Sequence, residues 1–447
     1  MRSMRIAWAT APESLVPAPL PQDGKVESPM IRSSVVVTVL AAALCGETVA
    51  VAEDPTRPGE VSEVGATSPL PPAPSPRAGG SWYMNISFDL LVDFGWSTTP
   101  NVSDVLNLGD HDPVQRGFTI PNSELVFEGA VDPYFKGLGD VVLKLDEEGE
   151  TSVELEEAYF VTTSLPGGLQ IKGGQFFTEF GRLNPRHPHQ WDFVDQPLAL
   201  NRAFGPDGLR SPGAQVSWLA PTPFYMELLL GVLNGTGETA WSFLNPEGSD
   251  FHGRATVERD RRGLQDMLYV PRVATSFETG NESTLLLGAS AALGPNNSGT
   301  DADSRVYGAD AFWKWRPANA MKGFPFFSVQ GEALYRHFEA GADPIPPLPE
   351  EILRDWGYYA QILWGFRPRW VAGLRGESVG GDPGAFSGED VWRADRTRVA
   401  PNLTWYPTEF SKLRLQYNYD RGEFFGTEHS LWFQMEVLLG AHGTHKF

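Results

Sequence analysis

The sequence predicts an all-β protein: a transmembrane antiparallel up-and-down β-barrel of about sixteen strands, within a range of fourteen to eighteen, with its third long loop folded inward. Three observations lead there. The strand-like segments are long and split into an apolar and a polar face. Short turns alternate with longer polar loops. No apolar run approaches the twenty residues that a spanning helix needs.

From the front, residues 1–29 read as an extension upstream of a true start at Met30. Residues 30–52 carry a basic start, an apolar run from Val35 to Leu44 and the end Ala50-Val-Ala52, the parts of a secretory signal peptide with cleavage expected after Ala52. The single cysteine, Cys45, follows Leu44, which departs from a lipoprotein signal, and cleavage would leave a mature chain without thiols. Thiolate metal sites and disulfides are then excluded. Residues 53–80, rich in Pro and small polar residues, predict a flexible linker, and residues 81–447 form the barrel.

In the first barrel segment Met84, Ile86, Phe88, Leu90, Val92, Phe94 and Trp96 share one parity, and Asn85, Ser87, Asp89 and Asp93 the other. Side chains alternate along a strand, so this is one long strand with an apolar and a polar face. Soluble strands average about five or six residues. The pattern returns in Leu413–Tyr419 and Leu431–Leu439. Glu156-Glu157 interrupts the alternation of 153–158 and predicts a bulge or an early exit from the membrane. Tyr225–Val232 is apolar on both parities, which leaves its facing open.

Turns are expected at 132–133, 165–168, 221–223, 279–281, 316–317, 367–368 and 406–407. Longer loops are expected near 97–116, 147–151, 179–210, 235–265, 295–303, 339–355, 381–391 and 422–428. Seven turns and eight loops join sixteen strands and put both chain ends on the turn side.

The formal charge of −21, from 35 Lys and Arg against 56 Asp and Glu, excludes a nucleic-acid partner, which needs clustered cations. Membrane lipid on the outside and small hydrophilic solutes or ions within are the partners such a barrel implies. No catalytic residue is assigned: the eight histidines fall in no nucleophile motif such as G-x-S-x-G, so no enzyme activity is expected, and no cofactor.

The segment Leu125-Val-Phe-Glu-Gly-Ala-Val-Asp-Pro-Tyr-Phe135, the alternating strands, the signal peptide and the terminal Phe447 resemble bacterial outer-membrane porins, in particular the phosphate-selective O and P type. The end Leu438–Phe447 also resembles proteins grouped as zinc-regulated outer-membrane receptors. The barrel of about twenty-two strands and the folded plug of energised receptors do not fit into 81–447. The porin resemblance implies an outer-membrane location and passive diffusion through a constricted, water-filled pore. It also implies a homotrimer as the candidate assembly, although the loop at 147–151 is short for clasping a neighbour.

The resemblance places the constriction in the third long loop. Its residues Arg182, Arg186, Asp192, Asp195, Arg202, Asp207 and Arg210 offer both signs of charge, and Pro185 and Pro188 suit irregular backbone. On the lumen parity lie Asp89, Asp93, Glu124 and Glu128 in early strands, and Arg336, Arg375, Arg396, Arg398 and Arg414 in later ones. A basic wall opposite an acidic one would set up a transverse field; taken singly, each is as readily a solvated lumen residue. No metal site is assigned. His187 and His189, with Asp192 and Asp195, are the candidate ligands, against a loop-packing or pore-lining role. Clustered lysines are lacking, so phosphate selectivity is not carried over. Two other classes stay open: a substrate- or metal-linked, zinc-related uptake barrel, and a soluble β-rich secreted binding protein or barrel hydrolase.

Overall fold

A computed structural model of the chain describes residues 83–440, apart from 131, 147–148, 246–249 and 346. The signal peptide, linker and upstream extension, His442, His445 and Phe447 lie outside the described residues. Sixteen antiparallel strands form the barrel: β1 Tyr83–Ser97, β2 Gly117–Ala130, β3 Phe135–Leu145, β4 Thr151–Thr162, β5 Leu169–Phe177, β6 Arg210–Leu219, β7 Tyr225–Leu233 and β8 Leu268–Gly280. The second half comprises β9 Ser283–Pro295, β10 Asp303–Trp315, β11 Phe326–Ala340, β12 Glu351–Arg367, β13 Trp370–Gly381, β14 Arg396–Thr408, β15 Ser411–Gly422 and β16 Gly426–Gly440. Each strand pairs with its sequence neighbours, and β1 closes the sheet on β16, from Ser87↔Gly440 to Ser97↔Ser430. No hydrogen-bonding edge is left in the wall, as hydrocarbon requires.

The faces of these strands are inverted relative to a soluble protein. In β1 the apolar parity is outside, with Met84 63% and Trp96 55% exposed, while Asp93 is 0% exposed. In β15 and β16 Leu415, Tyr417, Leu431, Phe433 and Met435 are exposed, whereas Arg414, Gln416, Glu436 and Gln434 are buried. Apolar side chains turned outward and polar ones inward suit lipid around a polar lumen. Exposed aromatics gather at both ends of the strands. Trp96, Tyr307 and Trp356 lie toward the long loops, and Phe135, Trp364 and Trp405 near the turns. Such belts mark the two lipid–water interfaces. This inversion overrules the soluble β-rich reading.

Three local details refine the sequence reading. The last turn lies at 409–410, because Tyr406-Pro407 belongs to β14 beside a register shift between Trp405 and Thr408. Arg210 begins β6 instead of ending the loop. The irregularity at Glu156-Glu157 is a bulge: Asp140 pairs with Glu157 and Val141 with Leu155, which leaves Glu156 as the extra residue and turns both glutamates into the lumen. In β7 the facing that the sequence leaves open is settled. Leu228 and Leu230 face outward, while Leu233 joins an apolar cluster inside the barrel.

Candidate functional site

The third long loop, 178–209, enters the barrel and packs against its wall. Its path is set at the start by Gly181, whose φ of 62° favours glycine and whose N–H donates to Ser290 Oγ at 3.1 Å. The next two N–H groups, of Arg182 and Leu183, donate to Glu332 Oε1 at 3.1 and 2.8 Å. A strand carboxylate thus satisfies backbone donors that a buried loop would otherwise leave unpaired.

Further on, the loop forms one short helix, Leu198–Phe204, with all seven residues buried; its first N–H donates to Glu377 Oε2 at 2.7 Å. Leu198, Leu200 and Phe204, with Phe176, Phe180 and Leu183, pack on Leu233, Leu268, Val270, Val306, Leu334 and Val379. One side of the lumen is therefore an apolar seat for the loop. Burial at roughly 25 cal/mol per Å² of apolar surface makes that seat stabilising.

A second wall is basic. Asp195 accepts hydrogen bonds from Arg398 Nη1 at 2.8 Å, Gln416 Nε2 at 2.9 Å and Asn418 Nδ2 at 2.8 Å, and contacts Arg375 Nη2. Asp420 Oδ1 accepts from Arg396 Nε at 3.0 Å and Arg398 Nε at 2.9 Å, and Glu377 Oε1 from Arg375 Nε at 3.1 Å. Three guanidinium groups thus face three carboxylates. Burial pushes the Asp195 carboxyl up, but Arg398 and Arg375 outweigh it and hold the group down at about 2. The five predicted lumen arginines are only 1–6% exposed: Asp195 and Trp191 of the loop meet Arg375, Arg398 and Arg414, whereas Arg396 meets Leu106 O and Arg336 meets Ser242 and His252 of other loops.

A third wall, β1–β4, is acidic. His187 Nδ1 lies 2.8 Å from Glu124 Oε1, 2.8 Å from Glu156 Oε2 and 3.4 Å from Asp140 Oδ2, and its Nε2 lies 3.0 Å from Glu157 Oε2. His189 Nδ1 lies 2.7 Å from Glu124 Oε2 and 3.5 Å from Asp89 Oδ2. Burial disfavours a charged His187, yet Glu124 and Glu156 overcome this and raise its pKa well above the ordinary value. Toward the long loops the wall continues into His111, whose Nε2 lies 3.2 Å from Asp207 Oδ1 and 3.4 Å from Glu156 Oε1. Three groups here bring metal-type ligand atoms within 4.8 Å of one another: Glu124, Asp140, Glu156 and His187; Asp89, Glu124 and His189; and Asp110, His111 and Asp207.

The remaining loop residues fall into place around these walls. Arg182 Nε donates to Gln330 Oε1 at 3.0 Å, and its guanidinium lies 3.9 Å from the Phe312 ring centroid. Arg186 leaves its side chain partly exposed while its carbonyl accepts from Trp191 Nε1 at 2.9 Å. Asp192 accepts from Gln361 at 2.9 Å, Arg202 donates to Arg393 O at 3.0 Å, and Asp207 contacts Arg210. In the wall, Arg336 holds Asp355 at 2.6 Å, and Arg414 donates to Gln434 Oε1 and Trp191 O, both at 2.8 Å. Asp93 is fully buried beside Gln434, and Glu128 sits half-buried opposite Asn85.

The expected grouping of His187 and His189 with Asp192 and Asp195 is corrected. Those aspartates pair with Gln361 and the basic wall, and the imidazoles face strand carboxylates instead, because the loop crosses the lumen between its two histidines and Asp195. The acidic and basic walls likewise do not face each other across open water at this level, since the loop lies between them and ionic groups removed from water must pair. Sequence reasoning passed over Asp140, Glu377 and Asp420. Strand parity could have found the last two, which share a face with Arg375 and with Arg414. Asp140 needed the register of β3 on the bulge in β4.

No protein-family model matches the chain. An uncharacterized protein of Aquifex aeolicus (strain VF5) is 34% identical over 350 residues, which cover 74% of this chain and 71% of that protein. Among solved structures, the outer membrane channel DcaP of Acinetobacter baumannii aligns with a TM-score of 0.51 and 12% identity over 81% of this chain and 99% of that one. The anion-selective porin from Comamonas acidovorans aligns with a TM-score of 0.50 and 6% identity over 80% and 100%. At such identities the likeness is one of fold.

Proposed function

We propose that the chain, which belongs to the same family as the Aquifex aeolicus protein, is a porin-like channel of the outer membrane that passes small hydrophilic solutes or ions by passive diffusion. The observation that carries this reading is the combination of a lipid-facing apolar exterior with a charged lumen into which the third long loop is seated. Arg182, Arg186 and Asp192 keep partly exposed side chains on that loop and are the constriction groups that solute meets.

Phosphate selectivity forms no part of the proposal. Anion ladders need free, clustered cations, whereas the guanidinium groups of Arg375, Arg396 and Arg398 are engaged by carboxylates. Because the loop fills the lumen at the level of Asp195, conductance is expected to be small. Planar-bilayer recording of the purified protein in simple salt tests this: small, discrete steps are expected. A silent barrel would refute diffusion and favour a substrate- or metal-linked uptake barrel, the reading that the buried histidine–carboxylate cluster supports. A homotrimer is the proposed assembly, to be checked by mobility on a gel before and after boiling.

A further inference from the structure

We propose that His187 of the third long loop, with Glu124, Asp140 and Glu156 of the barrel wall, forms a binding site for one divalent transition-metal cation, with Asp89 and His189 adjoining through Glu124. The site stands whether or not the barrel conducts.

One imidazole nitrogen, His187 Nδ1, faces three carboxylate oxygens from β2, β3 and β4 at 2.8, 3.4 and 2.8 Å. A single N–H cannot serve three acceptors well, since each good hydrogen bond needs a near-linear approach. A cation at the point where the four groups converge serves them all. Donor atoms around a tetrahedral ion with bonds of ~2.0–2.1 Å stand roughly 3.3 Å apart, so a small outward movement of the ring suffices.

Asp140 is 2% and Asp89 3% exposed, and the Oδ1 atom of each accepts no hydrogen bond. Buried carboxylate oxygens without partners are costly, and both carboxylates belong to groups of converging ligand atoms.

Charge points the same way. Among the described residues, Asp89, Glu124, Asp140, Glu156 and Glu157 meet only imidazoles as close cationic partners: those of His187 and His189, and that of His111, which Glu156 shares with Asp207. Nearby cations are already matched: Lys412 contacts Glu436, and Lys144 contacts Asp110 and Glu154. The third cluster, Asp110 with His111 and Asp207, lacks this excess, because Lys144 and Arg210 hold its carboxylates. A mixed set of imidazole and carboxylate donors selects zinc, cobalt, manganese or iron(II) over calcium, which takes oxygen alone. A bound ion would clasp the loop to the three strands, with the β4 bulge delivering Glu156 to it.

The test uses the full-length protein folded in detergent, stripped with EDTA and titrated with Co2+, whose visible absorption reports nitrogen and carboxylate ligation, and then with Zn2+ as competitor. Wild type is expected to take up one Co2+ per chain, displaced by Zn2+. The isosteric variants Asp140→Asn and His187→Gln are expected to weaken binding by about tenfold or more, while His429→Gln, outside the lumen, leaves it unchanged. Altered mobility on boiling verifies that each variant is a folded barrel. Folded wild type that takes up no Co2+, or uptake equal in wild type, Asp140→Asn and His187→Gln, would overturn the proposal, the latter as adventitious binding elsewhere.

Discussion

The basic and acidic walls are built from the same kinds of residue and solve opposite problems. On β13–β15, Arg375, Arg396 and Arg398 are balanced by Glu377, Asp420 and the loop's Asp195, so charge closes within the protein. On β1–β4 five carboxylates meet three imidazoles, one of them shared with Asp207, and charge does not close. A loop can therefore be held in a lumen either by completing a salt-bridge network or by creating a demand for a further cation. The two walls should respond to neutralisation with opposite signs.

The largest effect is expected at Asp195. Asp195→Ala leaves Arg375 and Arg398 buried with a carboxylate missing, which costs about 3–5 kcal/mol of loop seating; limited proteolysis of 178–209 and conductance should both rise. Phe180→Ala, on the apolar seat, is expected to cost about 3–5 kcal/mol if the cavity stays empty, with the same readouts but no change in ion selectivity. That contrast separates packing from charge.

Acid sharpens the comparison further. The Asp195 carboxyl is depressed to about 2 in the seated loop and would return to about 3.9 in a released one. Its contribution, about 2–3 kcal/mol, is therefore complete above pH ~4 and is lost as pH falls through about 2. Proteolysis or conductance measured from pH 6 down to pH 2 should stay flat and then rise; a transition already complete near pH 5 would assign the seat to other groups.

Neutralising Arg396 and Arg398 together, as Gln, leaves Asp420 and Asp195 in excess. Permeability in a bilayer should shift toward cations, and an unchanged reversal potential would remove these arginines from the conduction path. The smallest effect is expected on the acidic wall. In EDTA, Asp140→Asn should leave the seated loop at least as stable as in wild type, because it removes one of several crowded, buried carboxyl groups. Destabilisation there would contradict the claim that this wall is overcharged.

Much of the fold was legible because the signal is local. Lipid and lumen impose a period of two on every strand, so Met84 to Trp96 or Leu431 to Leu439 declare their faces within one segment. Turn and loop composition then yields the strand number and singles out 179–210. Even the bulge at Glu156-Glu157 shows as a break in that period. The facing of Tyr225–Val232 was not legible, since both its parities are apolar and only the closed barrel turns Leu228 and Leu230 outward.

What the sequence by itself determined is thus the wall: closed, sixteen-stranded, apolar outside and charged inside, because those properties follow from neighbours along the chain and from the surrounding solvent. Only the tertiary structure decided the contents. The pairing of Asp195 with Arg375 and Arg398, 180 and 203 residues away, and the convergence of His187 on three strands depend on the route that the loop takes across the lumen. No local period encodes that route, because it is set by side chains that meet only once the barrel has closed.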